Sequence, residues 1–90
     1  MEVDPELERL REEVSAVDRS IIEAFNRRLE LVTQIKRHKD EHGISFVDHD
    51  RERWMFDHQS RGNEGPLTDE GLRELYAELL ALTKRELGSR

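Results

Sequence analysis

Apolar residues recur along the first half of the chain at alternating steps of three and four residues. These steps bring the side chains to one face of a helix, so the pattern predicts a single amphipathic helix over Leu7–Lys39. No Gly or Pro interrupts residues 6–42, and Gly43 is a natural end. A helix of about 35 residues is roughly 50 Å long and exceeds the width of a globule of this size, so we expect it to pair with another helix. The apolar positions are Leu7, Leu10, Val14, Val17, Ile21, Ala24, Leu31 and Ile35.

Capping residues mark where the helices begin. Asp4 can cap the long helix, and Pro5 fits its first turn. Asp48 can cap a second helix that runs to about Arg61, and Phe46–Val47 ahead of it could form a hydrophobic staple. The second helix is rich in charge and has only a partial apolar face, made of Trp54, Met55 and His58.

A third helix is predicted after the turn Gly62–Pro66. Thr68 can cap it, and Gly88 can end it just after Leu87. No segment reads clearly as a strand. The sequence therefore predicts an all-α fold of one long and two shorter helices, in a single domain that spans residues 1–90. The third helix has a broad apolar face made of Leu72, Leu75, Tyr76, Leu79, Leu80, Leu82 and Thr83.

The composition leaves little material for a core. Of the 90 residues, 34% are hydrophobic and 40% are charged, and the formal net charge is −6. A lone monomer would be marginal, so oligomerisation is the obvious remedy. The acidic balance argues against a non-specific nucleic-acid binder. The chain has no cysteine, no long apolar run and no apolar N-terminal segment, which favours a cytoplasmic protein without disulfides or a membrane span.

A charge interrupts the apolar seam of the long helix at Arg28. A snorkelling side chain or a specificity device of a coiled coil would explain it, and the sharper alternative is an internal pocket that binds an anion. Lys39 follows Arg28 by eleven residues, which is about 20° from three full turns, so the two share one face. Arg11 lies about 260° round the helix from Arg28 and could serve the same pocket only from an antiparallel second copy.

The other polar residues single out no further chemistry. His38 and His42 have the i,i+4 spacing of metal ligands, but no HExxH motif surrounds them. The serines lie in no nucleophile motif, and carboxylates are too abundant for their presence to identify an acid–base pair. We therefore expect neither a metal nor a cofactor.

Several short motifs occur in a fixed order along the chain. They are Leu10-Arg11-Glu12, Val14-Ser15-Ala16-Val17-Asp18, Arg28-xx-Leu31-xxx-Ile35-xxx-Lys39, Gly43 and Asp48-xx-Arg51-Glu52. Each is weak alone, but the ordered set, ahead of a final amphipathic helix, resembles the small all-helical chorismate mutases of the AroQ type over about Leu7–Leu87. The resemblance implies an intertwined, antiparallel helical homodimer in which each active site takes residues from both chains.

The resemblance also implies a reaction, the Claisen rearrangement of chorismate to prephenate in phenylalanine and tyrosine biosynthesis. The substrate is a dianion that must be held in a diaxial, chair-like conformer, and negative charge grows on its ether oxygen as the C–O bond breaks. Fixed cations suit both demands. The implied roles are Arg11 of the partner chain and Arg28 on the carboxylates, Lys39 on the ether oxygen, the Asp48 backbone N–H and the Glu52 side chain on the ring hydroxyl, and Arg51 at that end of the pocket.

The last helix departs from the family pattern. Thr83 falls where the family often has Ser, and Leu87 falls where it has Gln or Glu, so both are substrate-binding positions by resemblance. The second donor to the ether oxygen looks missing at Leu87. Either Glu86 turns inward in protonated form, or Lys39 acts alone. Some family members with an incomplete tail are activated by a partner enzyme at the start of the shikimate pathway, and that alternative stays open here.

Three rival functions remain on the same residues. An isochorismate pyruvate lyase has the same fold, although Glu52 suits a ring 4-hydroxyl better. A 4-amino-4-deoxychorismate mutase would read almost identically, because Glu52 also suits an ammonium. A helical dimerisation module without catalysis would have little reason to place Arg28 and Lys39 on one face.

Overall fold

The protein is seen here in a computed structural model that describes residues 4–45 and 48–88. Within those two stretches the chain forms three α-helices and no strand: α1 (Pro5–Glu41), α2 (His49–Gly62) and α3 (Asp69–Gly88). The predicted all-α architecture of one long and two shorter helices is confirmed. The staple predicted at Phe46–Val47 lies outside the described residues.

The helices begin and end where the sequence predicts. The Asp4 side chain accepts the backbone N–H of Leu7 at 3.2 Å, and the Thr68 hydroxyl accepts that of Gly71 at 3.0 Å. These bonds satisfy N–H groups that have no partner inside a helix. After α1, Gly43 has φ +66°, a left-handed conformation that glycine adopts at little cost.

The chain divides into two compact units, and the boundary falls inside α1. The first unit is Met1–Gln34 and the second is Ile35–Arg90. The described part of the first unit is one helix, and its buried residue is Leu29. The large aliphatic residues on its seam are exposed, and Ile22 beside the seam is 62% exposed. The exposed set comprises Leu7, Leu10, Val14, Val17, Ile21, Ile22 and Leu31.

Ion pairs cover the polar side of the first unit. Arg9 binds Glu6 and Glu13 along the helix. The hydrogen bond that Arg9 donates to Glu6, with a smaller contribution from the one to Glu13, raises the pKa of Arg9 above its usual value. These pairs are exposed to solvent, so they support the helix only weakly.

In the second unit α2 packs on α3. The Phe56 and Tyr76 rings meet edge to face at 6.0 Å, and the Arg73 guanidinium lies 5.5 Å from the centre of the Phe56 ring. The partial apolar face predicted for α2 differs from this arrangement. Trp54 and His58 are exposed and stack on each other at 4.9 Å, because α3 approaches α2 on the side of Phe56.

None of the helices in the described ranges is long and apolar enough to cross a membrane. The core of the single chain is thin, in line with its composition. Among the described residues, the buried side chains are Leu29, Tyr76, Thr83 and Leu87.

Candidate active site

Two of the predicted cations lie in the first unit. Arg11 is exposed, and its guanidinium is 3.3 Å from Glu8 one turn earlier on the helix. Arg28 is half-buried and precedes the buried Leu29. An exposed pair such as Arg11–Glu8 is worth little in stability, so Arg11 can exchange Glu8 for another anion at small cost.

Lys39 lies in the second unit, in the last turn of α1, and is half-buried. Its carbonyl accepts the backbone N–H of Ile44 at 2.8 Å and that of His42 at 3.2 Å. These bonds tie the end of the helix to the following turn and fix the backbone that carries the Lys39 side chain. Arg28 and Lys39 both belong to α1 (Pro5–Glu41), and the shared face predicted for them stays a prediction.

The N-cap and first turn of α2 carry three predicted site residues. The Asp48 side chain accepts the backbone N–H of Arg51 at 3.0 Å, and the Asp48 carbonyl accepts that of Glu52 at 3.1 Å. Both Asp48 oxygen groups therefore hold the helix end, and a contact with a ligand would use its backbone N–H. The Arg51 guanidinium lies 4.3 Å from the centre of the Trp54 ring, a cation–π contact that orients it.

Glu52 joins α2 to α3. One carboxylate oxygen is 3.2 Å from the Lys84 ammonium and the other is 3.5 Å from Nδ1 of His49. The side chains of Glu52 and Lys84 are 27% and 48% exposed. The structure thus brings the first turn of α2 to the second half of α3, where Thr83 and Leu87 lie. Sequence reasoning missed Lys84, because a pairing between separate helices leaves no spacing signal.

Thr83 and Leu87, the predicted site residues of α3, are both buried. The Thr83 hydroxyl donates to the Leu79 carbonyl at 2.6 Å. Leu87 is only 3% exposed, whereas Glu86 is exposed. Glu86 is therefore not turned inward within this chain, and whether Lys39 acts without a second donor from α3 stays a prediction.

A groove of about 440 Å³ runs between α2 and α3. Of the predicted site residues it contains Glu52 alone. Glu52 is therefore beside a largely apolar groove. The groove is lined by His49, Glu52, Arg53, Phe56, Arg73, Tyr76, Ala77 and Leu80.

His38 and His42, the residues with metal-ligand spacing, stack with ring centres 4.1 Å apart. Nδ1 of His42 is 2.8 Å from the His38 carbonyl, so that ring nitrogen is engaged with the helix end. In the described part of the chain, no group of three or more His, Asp or Glu side chains is placed to hold a metal ion.

Burial of Leu87 leads to a prediction about stability. Leu87→Gln is expected to lower the free energy of unfolding by about 1–3 kcal/mol, because it moves an amide into a position that is closed to water. Leu82→Gln is the matched control on the same helix. Leu82 is 38% exposed, so its replacement should cost less than about 1 kcal/mol. Urea denaturation of the two variants measures both values, and equal losses would show that Leu87 is not a packing residue.

The chain is an all-helical protein with a charged candidate site. Its α1 carries the predicted arginines and lysine, and the Glu52 carboxylate at the start of α2 is paired with Lys84. Residues 10–86 match the family model for chorismate mutase type II. The chain belongs to this family. The match spans every predicted site residue except Leu87, and the predicted all-helical chorismate mutase, an isomerase, is confirmed at the level of the family.

Two solved structures are similar to the chain. Form I of the chorismate mutase from Thermus thermophilus is 33% identical, with a TM-score of 0.83 over 87% of this chain and 98% of that one. Form II of the same enzyme is also 33% identical, with a TM-score of 0.83 over 87% of this chain and 89% of that one. No curated protein sequence matches the chain.

Proposed function

We propose that the protein catalyses the rearrangement of chorismate to prephenate, a step in phenylalanine and tyrosine biosynthesis. The family match over residues 10–86 carries this proposal, because it includes the cations at Arg11, Arg28 and Lys39. Structures of a chorismate mutase that are 33% identical support it. The activity belongs to the whole chain, residues 1–90, as one functional domain.

The proposed mechanism needs only binding and electrostatics. Arg28, with Arg11 of a second copy, binds the two carboxylates and holds the substrate in its diaxial conformer, which removes the entropy cost of reaching that geometry. Lys39 donates to the ether oxygen, where negative charge grows as the C–O bond breaks. A fixed cation at that atom binds the transition state more strongly than the ground state, and this difference accelerates the reaction.

The ring hydroxyl is placed at the first turn of α2. The Asp48 N–H and the Glu52 carboxylate would bind it, and Arg51, held over Trp54, would close that end of the pocket. The 3.2 Å ion pair with Lys84 supports this assignment, because it fixes the Glu52 carboxylate before substrate arrives. Thr83 and Leu87 are substrate-binding positions on α3 by resemblance, and Leu87 would contribute apolar packing rather than a hydrogen bond.

Measuring kcat/KM for three substrates tests the proposed function against its alternatives. Chorismate should be the preferred substrate and prephenate the sole product. Preferred conversion of the 4-amino analogue would make the protein an aminodeoxychorismate mutase. Release of pyruvate from isochorismate would make it a lyase, and inertness towards all three would leave the helical dimerisation module.

The protein should act as an antiparallel homodimer with two shared sites. The exposed seam of the first unit supports this, because a row of large aliphatic residues at helical spacing matches the self-complementary surface that a two-fold dimer requires. The seam includes Val14, Val17 and Ile21, which are each more than half exposed. The proposal also includes a cytoplasmic location. It includes an activating partner enzyme of the shikimate pathway as well, because α3 offers no second donor to the ether oxygen.

Dimerisation predicts a stability that depends on concentration. Folding and association would be one event, so a tenfold increase in protein should raise the unfolding midpoint by about 3–6 °C. Differential scanning calorimetry at several concentrations measures the shift. Ile21→Glu, which puts a charge on the seam, should lower the midpoint at every concentration. A midpoint that is independent of concentration, with a folded monomer in sedimentation, would contradict the dimer.

A further inference from the structure

The Glu52 carboxylate is held by groups from two helices. The Lys84 ammonium of α3 is 3.2 Å from one oxygen, and Nδ1 of His49 on α2 is 3.5 Å from the other. Glu52 is the more shielded member of the ion pair, with 27% of its side chain exposed against 48% for Lys84. A carboxylate in this setting is an acceptor whose negative charge is largely balanced by the adjacent cation.

We propose that Lys84 is a specificity-determining positioning residue, which makes the site prefer a neutral hydroxyl over a protonated amine on the substrate ring. The proposal rests on the proposed function, in which Glu52 binds the ring substituent. Lys84 would act by orienting Glu52 and by changing the electrostatic potential at the ring substituent. It has no role at the breaking bond.

The preference follows from the charges around the ring substituent. A hydroxyl needs only an acceptor oxygen, and Glu52 keeps that capacity while it is paired, because a carboxylate has about four lone-pair sites. An ammonium is attracted by Glu52 and repelled by Lys84, which lies 3.2 Å from the same carboxylate. The pair therefore attracts the ammonium less than Glu52 alone would, while the hydroxyl retains its hydrogen bond.

The pair also fixes the geometry of the carboxylate. Glu52 lies on α2 and Lys84 on α3, so the ion pair sets the side chain across the junction of the two helices. An oriented acceptor binds a hydroxyl at smaller entropy cost than a mobile one. Lys84 therefore contributes to hydroxyl binding as well as to rejection of the amine.

Substitution of Lys84 tests the proposal through a ratio of two substrates. In Lys84→Gln and Lys84→Met, the ratio of kcat/KM for 4-amino-4-deoxychorismate to kcat/KM for chorismate should rise about tenfold. A larger rise is not expected, because Lys84 is half exposed and solvent screens its charge. The change should appear mainly in KM, since the ring substituent keeps its bond to the ring throughout the rearrangement and is bound about equally in the ground and transition states. Lys84→Arg keeps the charge and should keep the wild-type ratio.

Arg61→Gln is the matched control. It removes one positive charge from an exposed position in the last turn of α2, about 13 Å along the helix from Glu52. The substrate ratio should stay within about twofold of wild type, because screening weakens interactions over that distance. Circular dichroism of each variant checks that the helices are retained.

The outcomes separate this inference from the proposed function. A wild type that converts chorismate, together with an unchanged ratio in both Lys84 variants, overturns the role of Lys84 alone. An equal shift in Arg61→Gln overturns it too, because the effect would then be one of net charge. A wild type that converts neither substrate overturns the proposed function, and the inference falls with it.

Discussion

Lys39→Ala is expected to abolish measurable turnover while the protein stays folded. Removing a single donor to a developing oxyanion typically costs about 10²–10³ in rate. The loss here should reach or exceed the upper end, because Leu87, 3% exposed and apolar, has no hydrogen-bonding group to share the load. Lys39 is half-buried in the last turn of α1, where truncation removes little packing. Initial rates and circular dichroism on the same preparation measure both effects.

Two further variants sharpen this test. Lys36→Ala is the matched control, since Lys36 is also half-buried near the end of α1 and has no proposed role in the reaction. It should retain most of the wild-type kcat. Lys39→Arg should recover little activity, because a planar guanidinium does not replace a compact ammonium in a confined site. If Lys39→Ala keeps more than about a tenth of wild-type kcat, Lys39 does not stabilise the ether oxygen.

Arg11→Ala and Arg28→Ala are each expected to be nearly inactive, yet a refolded mixture of the two should regain activity. In the proposed dimer each site takes Arg28 from one chain and Arg11 from the other. A mixed dimer then has one site with both defects and one site with neither. Random pairing of equal amounts makes half of all dimers mixed, so about a quarter of the wild-type activity should return.

Arg27→Ala provides the control for this experiment. Arg27 adjoins Arg28 but is exposed and paired with Glu30 at 3.1 Å, so its replacement should leave kcat within about twofold, as is usual for a surface substitution. A mixture of Arg11→Ala and Arg28→Ala that stays as inactive as its components would place both arginines in the site of one chain. The shared-site arrangement would then be wrong.

The helices were predictable because their signals are local. Asp4 and Thr68 accept N–H groups from residues three positions later, and such caps can be read from the sequence alone. The side of α2 that faces inward was not predictable in the same way. Phe56 lies against Tyr76, whereas the larger Trp54 stays exposed, because the choice depends on the direction from which α3 approaches.

In the candidate site, too, local features were predictable from the sequence and contacts between helices were not. Arg28 and Lys39 were identified because helical geometry predicts that they share one face of a single element. The role of Arg11 came from the family resemblance, and all three roles remain predictions. The ion pair of Glu52 with Lys84 depends on how α2 and α3 pack, and no spacing rule connects residues in separate helices. Burial of Leu87 is likewise a tertiary property, since the amphipathic pattern of α3 contains several leucines and does not say which of them is enclosed.

The central claim is that this chain converts chorismate to prephenate with its own cations. Its most direct test is nuclear magnetic resonance of chorismate incubated with protein purified from a host that lacks chorismate mutases, with Lys39→Ala prepared identically as the blank. We expect the chorismate signals to be replaced by those of prephenate with the wild type and to persist with Lys39→Ala. Chorismate that persists with the wild type at micromolar enzyme, or equal conversion by the two preparations, would contradict it.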